Sequence, residues 1–147
     1  MQGHQFIFSS GLWIGEGKIT FSASPNHLRF YTKWDIKPMD KAGAIQCMQQ
    51  VEMEGGEERV LNQFICSDLQ PEAFKIILRN ELLGEAVGKG IVDAKTIAWE
   101  FRGDPDFEGI EVYELQENGD YMLHAEYTSS EDFRTIVDGR IWKKSTL

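Results

Sequence analysis

Four side chains with acid–base chemistry lie near the end of the chain: Glu111, Tyr113, His124 and Glu126. The segments that carry them, 107–116 and 121–128, alternate in polarity and flank Asn118-Gly119, a pair typical of a two-residue type I′ hairpin turn. That turn would place Tyr113 opposite His124 and Glu111 opposite Glu126, on one shared face. Two facing carboxylates repel each other, and burial would raise the pKa of at least one of them.

Such a patch could bind a cation, orient the polar end of a ligand or perform general acid–base catalysis. The alternative is that it forms the solvent-exposed face of an ordinary hairpin. The other face would then be the core, with Ile110, Val112, Leu123 and Ala125. The pattern does not decide which face points inward. No His-x-His or His-x-x-x-His spacing indicates a metal site, and no nucleophile elbow, P-loop or dinucleotide-binding motif occurs.

A second candidate set consists of polar residues at positions where alternation predicts an inward side chain: Thr32, Gln49, Asn62 and Asn80. Large apolar residues at neighbouring inward positions would form the walls around them, chiefly Trp34, Phe64 and Trp99. Polar groups inside a barrel need hydrogen-bond partners or water. A ligand-binding lumen meets that need, and so does a merely wet interior. An aromatic stripe is equally compatible with a packed core.

Alternating segments separated by Gly and Asn/Asp clusters recur along the whole chain. The first predicted strand runs from Leu12 to Ser22, with five residues on its inward face: Trp13, Gly15, Gly17, Ile19 and Phe21. About ten such strands follow one another at a spacing of roughly 8–12 residues, as in barrels and sandwiches. The pattern predicts an all-β fold, a single antiparallel up-and-down barrel over residues 1–147. A closed barrel is favoured over an open sheet because closure removes exposed strand edges.

Two segments leave alternatives open. In the predicted hairpin around Gly55-Gly56, Cys47 lies opposite Phe64 and diagonal to Cys66, whereas a slip of two residues would put the cysteines opposite each other and allow a disulfide. The segment 68–83 has both helical and alternating apolar spacing. We interpret it as a strand because the segments around it read as β-structure.

The composition limits the kinds of partner that the protein is expected to bind. The chain has 147 residues and a formal net charge of −9. Nucleic acids and anionic membranes favour basic surfaces, so neither is an expected partner, and the acidic surface is readily explained by solubility. No apolar stretch approaches the roughly 20 residues of a membrane helix, and we do not expect residues 1–10 to act as a signal peptide. We therefore expect a cytoplasmic protein with reduced cysteines.

The Gly11-x-Trp13 motif on a first strand, followed by serial hairpins, resembles the calycin barrels: lipocalins, fatty-acid-binding proteins and small heme-binding barrels. The resemblance implies that Trp13 packs at the closed end and that Arg140 stacks over it. The later lipocalin signatures and the helical lid of the fatty-acid-binding proteins are missing from the sequence. The lidless pattern is most similar to nitrobindin-type heme barrels, which implies an iron-ligating histidine. His124 is the candidate, since His4 lies in the tail and His27 adjoins a turn.

These observations lead to three functional hypotheses. The first is a barrel that binds a small hydrophobic or amphipathic molecule in its lumen, without a defined cofactor apart from the heme alternative. The second is a filled barrel that acts as a structural or interaction module, for example a homodimer through an outer face. The third is an enzyme that uses Glu111, His124 and Glu126. An internal void, a packed interior with an exposed apolar patch, or a concave site around His124 would distinguish them.

Overall fold

The computed structural model describes residues 3–56, 59–104, 106–129 and 133–144. Its strands are β1 (Gly11–Phe21), β2 (His27–Ile36), β3 (Ile45–Met53), β4 (Arg59–Ser67), β5 (Ala73–Asn80), β6 (Gly84–Val92), β7 (Thr96–Asp104), β8 (Phe107–Leu115), β9 (Tyr121–Ser129) and β10 (Arg134–Lys143). Every strand pairs antiparallel with its sequence neighbours, and β10 closes the sheet onto β1. The predicted all-β, up-and-down barrel is confirmed, as is the strand within 68–83. Within these ranges no helix is long and apolar enough to cross a membrane.

The close approach of β1 and β10 depends on a pair of glycines. Gly17 lies directly opposite Gly139, and the ring of Phe30 on β2 covers both. A Cβ atom on Gly17 would lie 2.1 Å from the carbonyl oxygen of Asp138, far inside van der Waals contact. The predicted inward face of β1 is confirmed, because Trp13 and Ile19 on that face are buried. The glycines therefore let the strands curve tightly while an aromatic ring fills the space.

The N-terminal segment, residues 3–10, fills one end of the barrel. Phe6 and Ile7 are completely buried. The ring of Phe6 lies 4.8–5.5 Å from four aromatic rings: Trp13, Trp34, Tyr113 and Tyr121. We call this end the closed end.

His4 fastens the N-terminal segment to the barrel. Its Nε2 atom is 2.7 Å from the carbonyl oxygen of Asp93, so Nε2 carries the proton and donates it. Its Nδ1 atom lies 2.6 Å from the Tyr121 hydroxyl oxygen, within hydrogen-bond distance. His4 was placed in the tail of the chain, and this part of the tail is packed: the residue is 4% exposed and hydrogen-bonded on both nitrogens.

Trp13 packs at the closed end, as the calycin resemblance implied. Its ring is 2% exposed and meets Phe6 and Tyr121 edge-on. The implied stacking of Arg140 on Trp13 is wrong. Arg140 lies opposite Glu16 on the outer surface, and its guanidinium sits 4.8 Å from the ring centre of Trp142. Arg140 points outward because side chains alternate along a strand, and its neighbours on β10 occupy the inward positions.

The β8–β9 hairpin has a different register from the predicted one. Tyr113 lies opposite Leu123, and Val112 lies opposite His124. The loop contains three residues, 117–119, and Gly119 adopts a left-handed φ of 93°. A three-residue loop of this kind replaces the two-residue turn expected from Asn118-Gly119.

The change of register by one residue moves side chains to opposite faces. Glu111 and Tyr113 point into the barrel, whereas His124 and Glu126 lie on its outer surface. Ile110 and Val112 are therefore also outside, although Leu123 and Ala125 belong to the core as expected.

The hairpin around Gly55 has the predicted register. Cys47 lies opposite Phe64 and Cys66 opposite Ile45, so the two cysteines are diagonal neighbours. Both are buried free thiols. The pKa of the Cys47 thiol is raised, mainly by the hydrogen bond with Cys66 and secondly by burial. Cys47 is therefore a packed core residue rather than a reactive nucleophile.

Candidate functional site

The barrel interior is divided into two halves. The half next to the N-terminal segment is packed with aromatic rings, and the other half, the open end, holds a cavity of about 420 Å³. Apolar side chains from most of the strands form its walls, among them Phe30, Leu78, Leu123 and Val137. Leu82, in the turn after β5, lies at the rim and is 95% exposed. The sequence left open whether the lumen is hollow or filled. The lumen is filled next to the N-terminal segment and hollow at the open end.

A row of side-chain amides crosses one wall of the cavity. Asn80 Nδ2 donates to Asn62 Oδ1 at 3.0 Å, Asn62 Nδ2 donates to Gln49 Oε1 at 2.9 Å, and Gln49 Nε2 donates to Thr32 Oγ1 at 3.2 Å. We call Gln49, Asn62 and Asn80 the amide row. These are polar residues that alternation placed inward, and all three line the cavity, whereas Thr32, at the end of the row, is buried and does not line it.

One backbone group sets the direction of the amide row. The Leu83 N–H donates a hydrogen bond of 2.6 Å to Asn80 Oδ1. Because a backbone N–H can only donate, the oxygen of Asn80 must face Leu83 and its nitrogen must face Asn62. The same logic passes along the row to Thr32. Each amide uses one N–H within the row and keeps a second, so the row can offer hydrogen-bond donors to a ligand.

Glu111 on β8 contributes the acidic group of the cavity lining. It is 4% exposed, and it accepts hydrogen bonds from the Tyr113 hydroxyl at 2.7 Å and from Trp99 Nε1 at 3.1 Å. The Tyr127 hydroxyl also favours the charged form of this carboxyl. Burial raises the pKa of the Glu111 carboxyl, and the polar groups of Tyr127, Tyr113 and Trp99 oppose that rise without cancelling it. A raised carboxyl pKa was expected in this hairpin if the face that carries Glu111 pointed into the barrel. Glu111 does point inward, and its carboxyl has the raised pKa.

His124 lies outside the cavity, on the outer surface of β9. Its Nδ1 atom is 2.6 Å from Asp138 Oδ1 and its Nε2 atom is 3.3 Å from Glu126 Oε1. The hydrogen bond to Asp138 raises the pKa of His124. The proposed catalytic patch is therefore split between the two faces of the sheet.

The position of His124 does not fit heme held by this residue in the lumen. Its side chain is 48% exposed on the far side of the barrel wall. In the described ranges, no cluster of three or more His, Cys, Asp or Glu residues could hold a metal ion.

Aromatic residues form a layer beneath the cavity. Trp34 lies 5.1 Å from Phe64, and Trp99 lies 5.0 Å from Tyr113, measured between ring centres. Of the four, Phe64 reaches the cavity wall, and the others pack between it and the N-terminal segment. The indole Nε1 of Trp34 is buried without a hydrogen-bond partner among the described residues. The aromatic residues singled out in the sequence are thus mainly the floor of the site.

Several lining residues were missed by the sequence reasoning. Tyr127 and Ala125 line the cavity from β9, and Val51 and Met53 line it from β3. The alternation of β9 was the signal for its two residues. The predicted β8–β9 register was wrong by one residue, so these residues were matched with the wrong partners on β8. No local signal marks the N-terminal segment as a closure of the barrel.

The fold is a closed, calycin-like barrel of ten antiparallel strands, with one packed end and one hollow end. No protein-family model matches the chain, and neither does any curated protein sequence. Among solved structures, the S-type phycobiliprotein lyase CPES from Guillardia theta is similar, with a TM-score of 0.71 and 13% sequence identity over 95% of this chain and 90% of that one. At this identity the similarity shows the fold.

Proposed function

We propose that this protein binds one small, mainly apolar molecule in the open-end cavity. The observation that carries the proposal is a cavity of about 420 Å³ whose walls are mostly apolar and whose polar groups are few and already ordered. Ligand sites typically have volumes of roughly 300–1,000 Å³ and combine apolar walls with a small number of polar groups. Burial of apolar ligand surface, at about 25 cal/mol per Å², would supply the affinity.

The ordering of the polar groups supports the same proposal. The amide row and the Glu111 carboxyl are held by hydrogen bonds to the barrel itself. A ligand therefore meets groups that need little further ordering, which reduces the entropic cost of binding. The similarity to a phycobiliprotein lyase is compatible with a ligand-handling role, but the cavity supplies the argument.

Filling the cavity provides the test. Ala125 is buried in the lining, so Ala125→Phe would place a ring in the ligand space. Ala73 is exposed on the outer face of β5, so Ala73→Phe is the matched control. We expect the neutral dye Nile red to bind wild type and Ala73→Phe with equal affinity and Ala125→Phe at least tenfold more weakly.

Folding of each variant is checked by circular dichroism, and Val137→Phe fills the cavity from a half-buried position if Ala125→Phe does not fold. Unchanged dye affinity in a folded, cavity-filled variant would show that binding takes place elsewhere. Absence of dye binding to the wild-type protein would also count against the proposed function.

A further inference from the structure

We infer that Glu111 selects among ligands: the buried end of the bound molecule is neutral or cationic and donates a hydrogen bond, and amphiphiles with an anionic end are disfavoured. This inference rests on the proposed function and adds the class of ligand. It depends on the charge of the cavity lining and on the unused hydrogen-bonding capacity of the Glu111 carboxyl.

The cavity lining is electrostatically one-sided. Glu111 is the acidic residue in it, and the described residues of the lining include no Lys, Arg or His. A carboxylate or phosphate end placed in this cavity would lose its hydration without gaining a cationic partner, and burial of an unpaired ion is strongly unfavourable. The formal net charge of −9 on the whole chain acts in the same direction.

The hydrogen bonds of Glu111 leave room for a donor. A carboxylate has about four acceptor positions on its two oxygens. Tyr113 and Trp99 each occupy one of them from the barrel wall, on different oxygens. A remaining position can accept an N–H or O–H from a ligand in the cavity that Glu111 lines.

The amide row complements this arrangement from other strands. Its free N–H groups can donate to an oxygen of the ligand, so a hydroxyl or amide group could use both sides of the cavity. Amide N–H groups are neutral, so they compensate the lost hydration of an anionic end less than a Lys or Arg side chain would.

Three ligands with the same chain separate the alternatives: decanol, decylamine and decanoate. We expect isothermal titration of the wild-type protein at neutral pH to show decanol and decylamine binding at least tenfold more tightly than decanoate. If Nile red binds in the cavity but neither decanol nor decylamine binds more tightly than decanoate, selection by Glu111 is overturned and the proposed function stands. If Nile red does not bind either, the proposed function fails first.

A variant assigns the selection to the carboxyl. Glu111→Gln keeps the shape of the side chain and removes the ionisable carboxyl, and Glu114→Gln makes the same change at an exposed position on the same strand. We expect Glu111→Gln to reduce the ratio of decylamine to decanoate affinity at least tenfold and Glu114→Gln to leave it unchanged. An unchanged ratio in a folded Glu111→Gln variant would overturn the inference. If this variant does not fold, the wild-type ranking of the three ligands still decides.

Discussion

The hydroxyl of Tyr113 donates a hydrogen bond of 2.7 Å to Oε1 of Glu111 inside the barrel. The indole of Trp99 holds the other carboxyl oxygen at 3.1 Å. The two donors come from neighbouring strands, so the carboxyl is fixed in position although burial disfavours its charge. The structure therefore keeps an acidic group at the cavity at a cost in stability that should depend on pH.

Glu111 should make the wild-type protein lose stability as the pH rises. Below its ordinary pKa near 4.5 the carboxyl is protonated in both the folded and unfolded states. Above that value the unfolded chain releases the proton while the folded protein retains it, up to the raised folded pKa. The loss is about 1.4 kcal/mol per unit of pKa difference.

The measurement is the free energy of unfolding by urea, for wild type and Glu111→Gln, from pH 4 to pH 8. We expect the difference between the two proteins to shift in favour of the variant as the pH rises from about 4.5. Glu114→Gln is the control, and a constant difference between Glu111→Gln and wild type would contradict the raised pKa.

The N-terminal segment should stabilise the whole barrel. Phe6 is fully buried among four aromatic rings, so Phe6→Ala removes a large core side chain and should lower the free energy of unfolding by about 3–5 kcal/mol. Phe133 is 49% exposed, and Phe133→Ala should change it by less than about 0.5 kcal/mol. Chemical denaturation measures both, and equal effects would show that the segment does not pack in the barrel.

The glycine pair between β1 and β10 should not tolerate a side chain. Gly17→Ala places a Cβ atom against the backbone of Asp138 and Gly139, so the strands must move apart, and we expect a loss of about 1–3 kcal/mol or more. At Gly56 a Cβ atom would meet nothing closer than 3.4 Å, and Gly56→Ala should be nearly neutral. Thermal unfolding of the two variants checks this, and similar melting temperatures would argue against the close approach.

His124 should titrate above its ordinary pKa of about 6.5 because Asp138, and to a smaller extent Glu126, favours its charged form. Its stabilising contribution is therefore complete below about pH 6.5 and is lost as the pH rises through the folded pKa. The contribution should be small, since the side chain is 48% exposed. NMR titration should show a lower His124 pKa in Asp138→Asn and a smaller decrease in Glu126→Gln. The opposite order would contradict the geometry.

Much of the barrel could be predicted because alternation carries strong information about faces. The inward positions of Thr32, Gln49 and Asn62 follow from the apolar residues that flank them on their strands. The Gly55-Gly56 turn also gave the correct register, which placed Cys47 opposite Phe64. In these elements local sequence and tertiary structure agree.

The errors have local physical causes. Asn118-Gly119 is compatible with both two-residue and three-residue loops, and one residue of difference moved His124 to the outer surface. Residues 3–10 contain no strand pattern, so nothing in the sequence indicates that Phe6 would pack inside the barrel. Its position depends on a space that only the closed sheet creates.

The most direct test of the central claim is where a ligand binds. Nile red titrated into methyl-labelled protein should shift the NMR signals of cavity-lining residues, with Leu78, Leu123 and Val137 as reporters. Signals from the exposed outer residues Leu61, Val87 and Ile91 should not move. Shifts confined to the outer residues, with the cavity signals unchanged, would contradict a ligand site in the lumen.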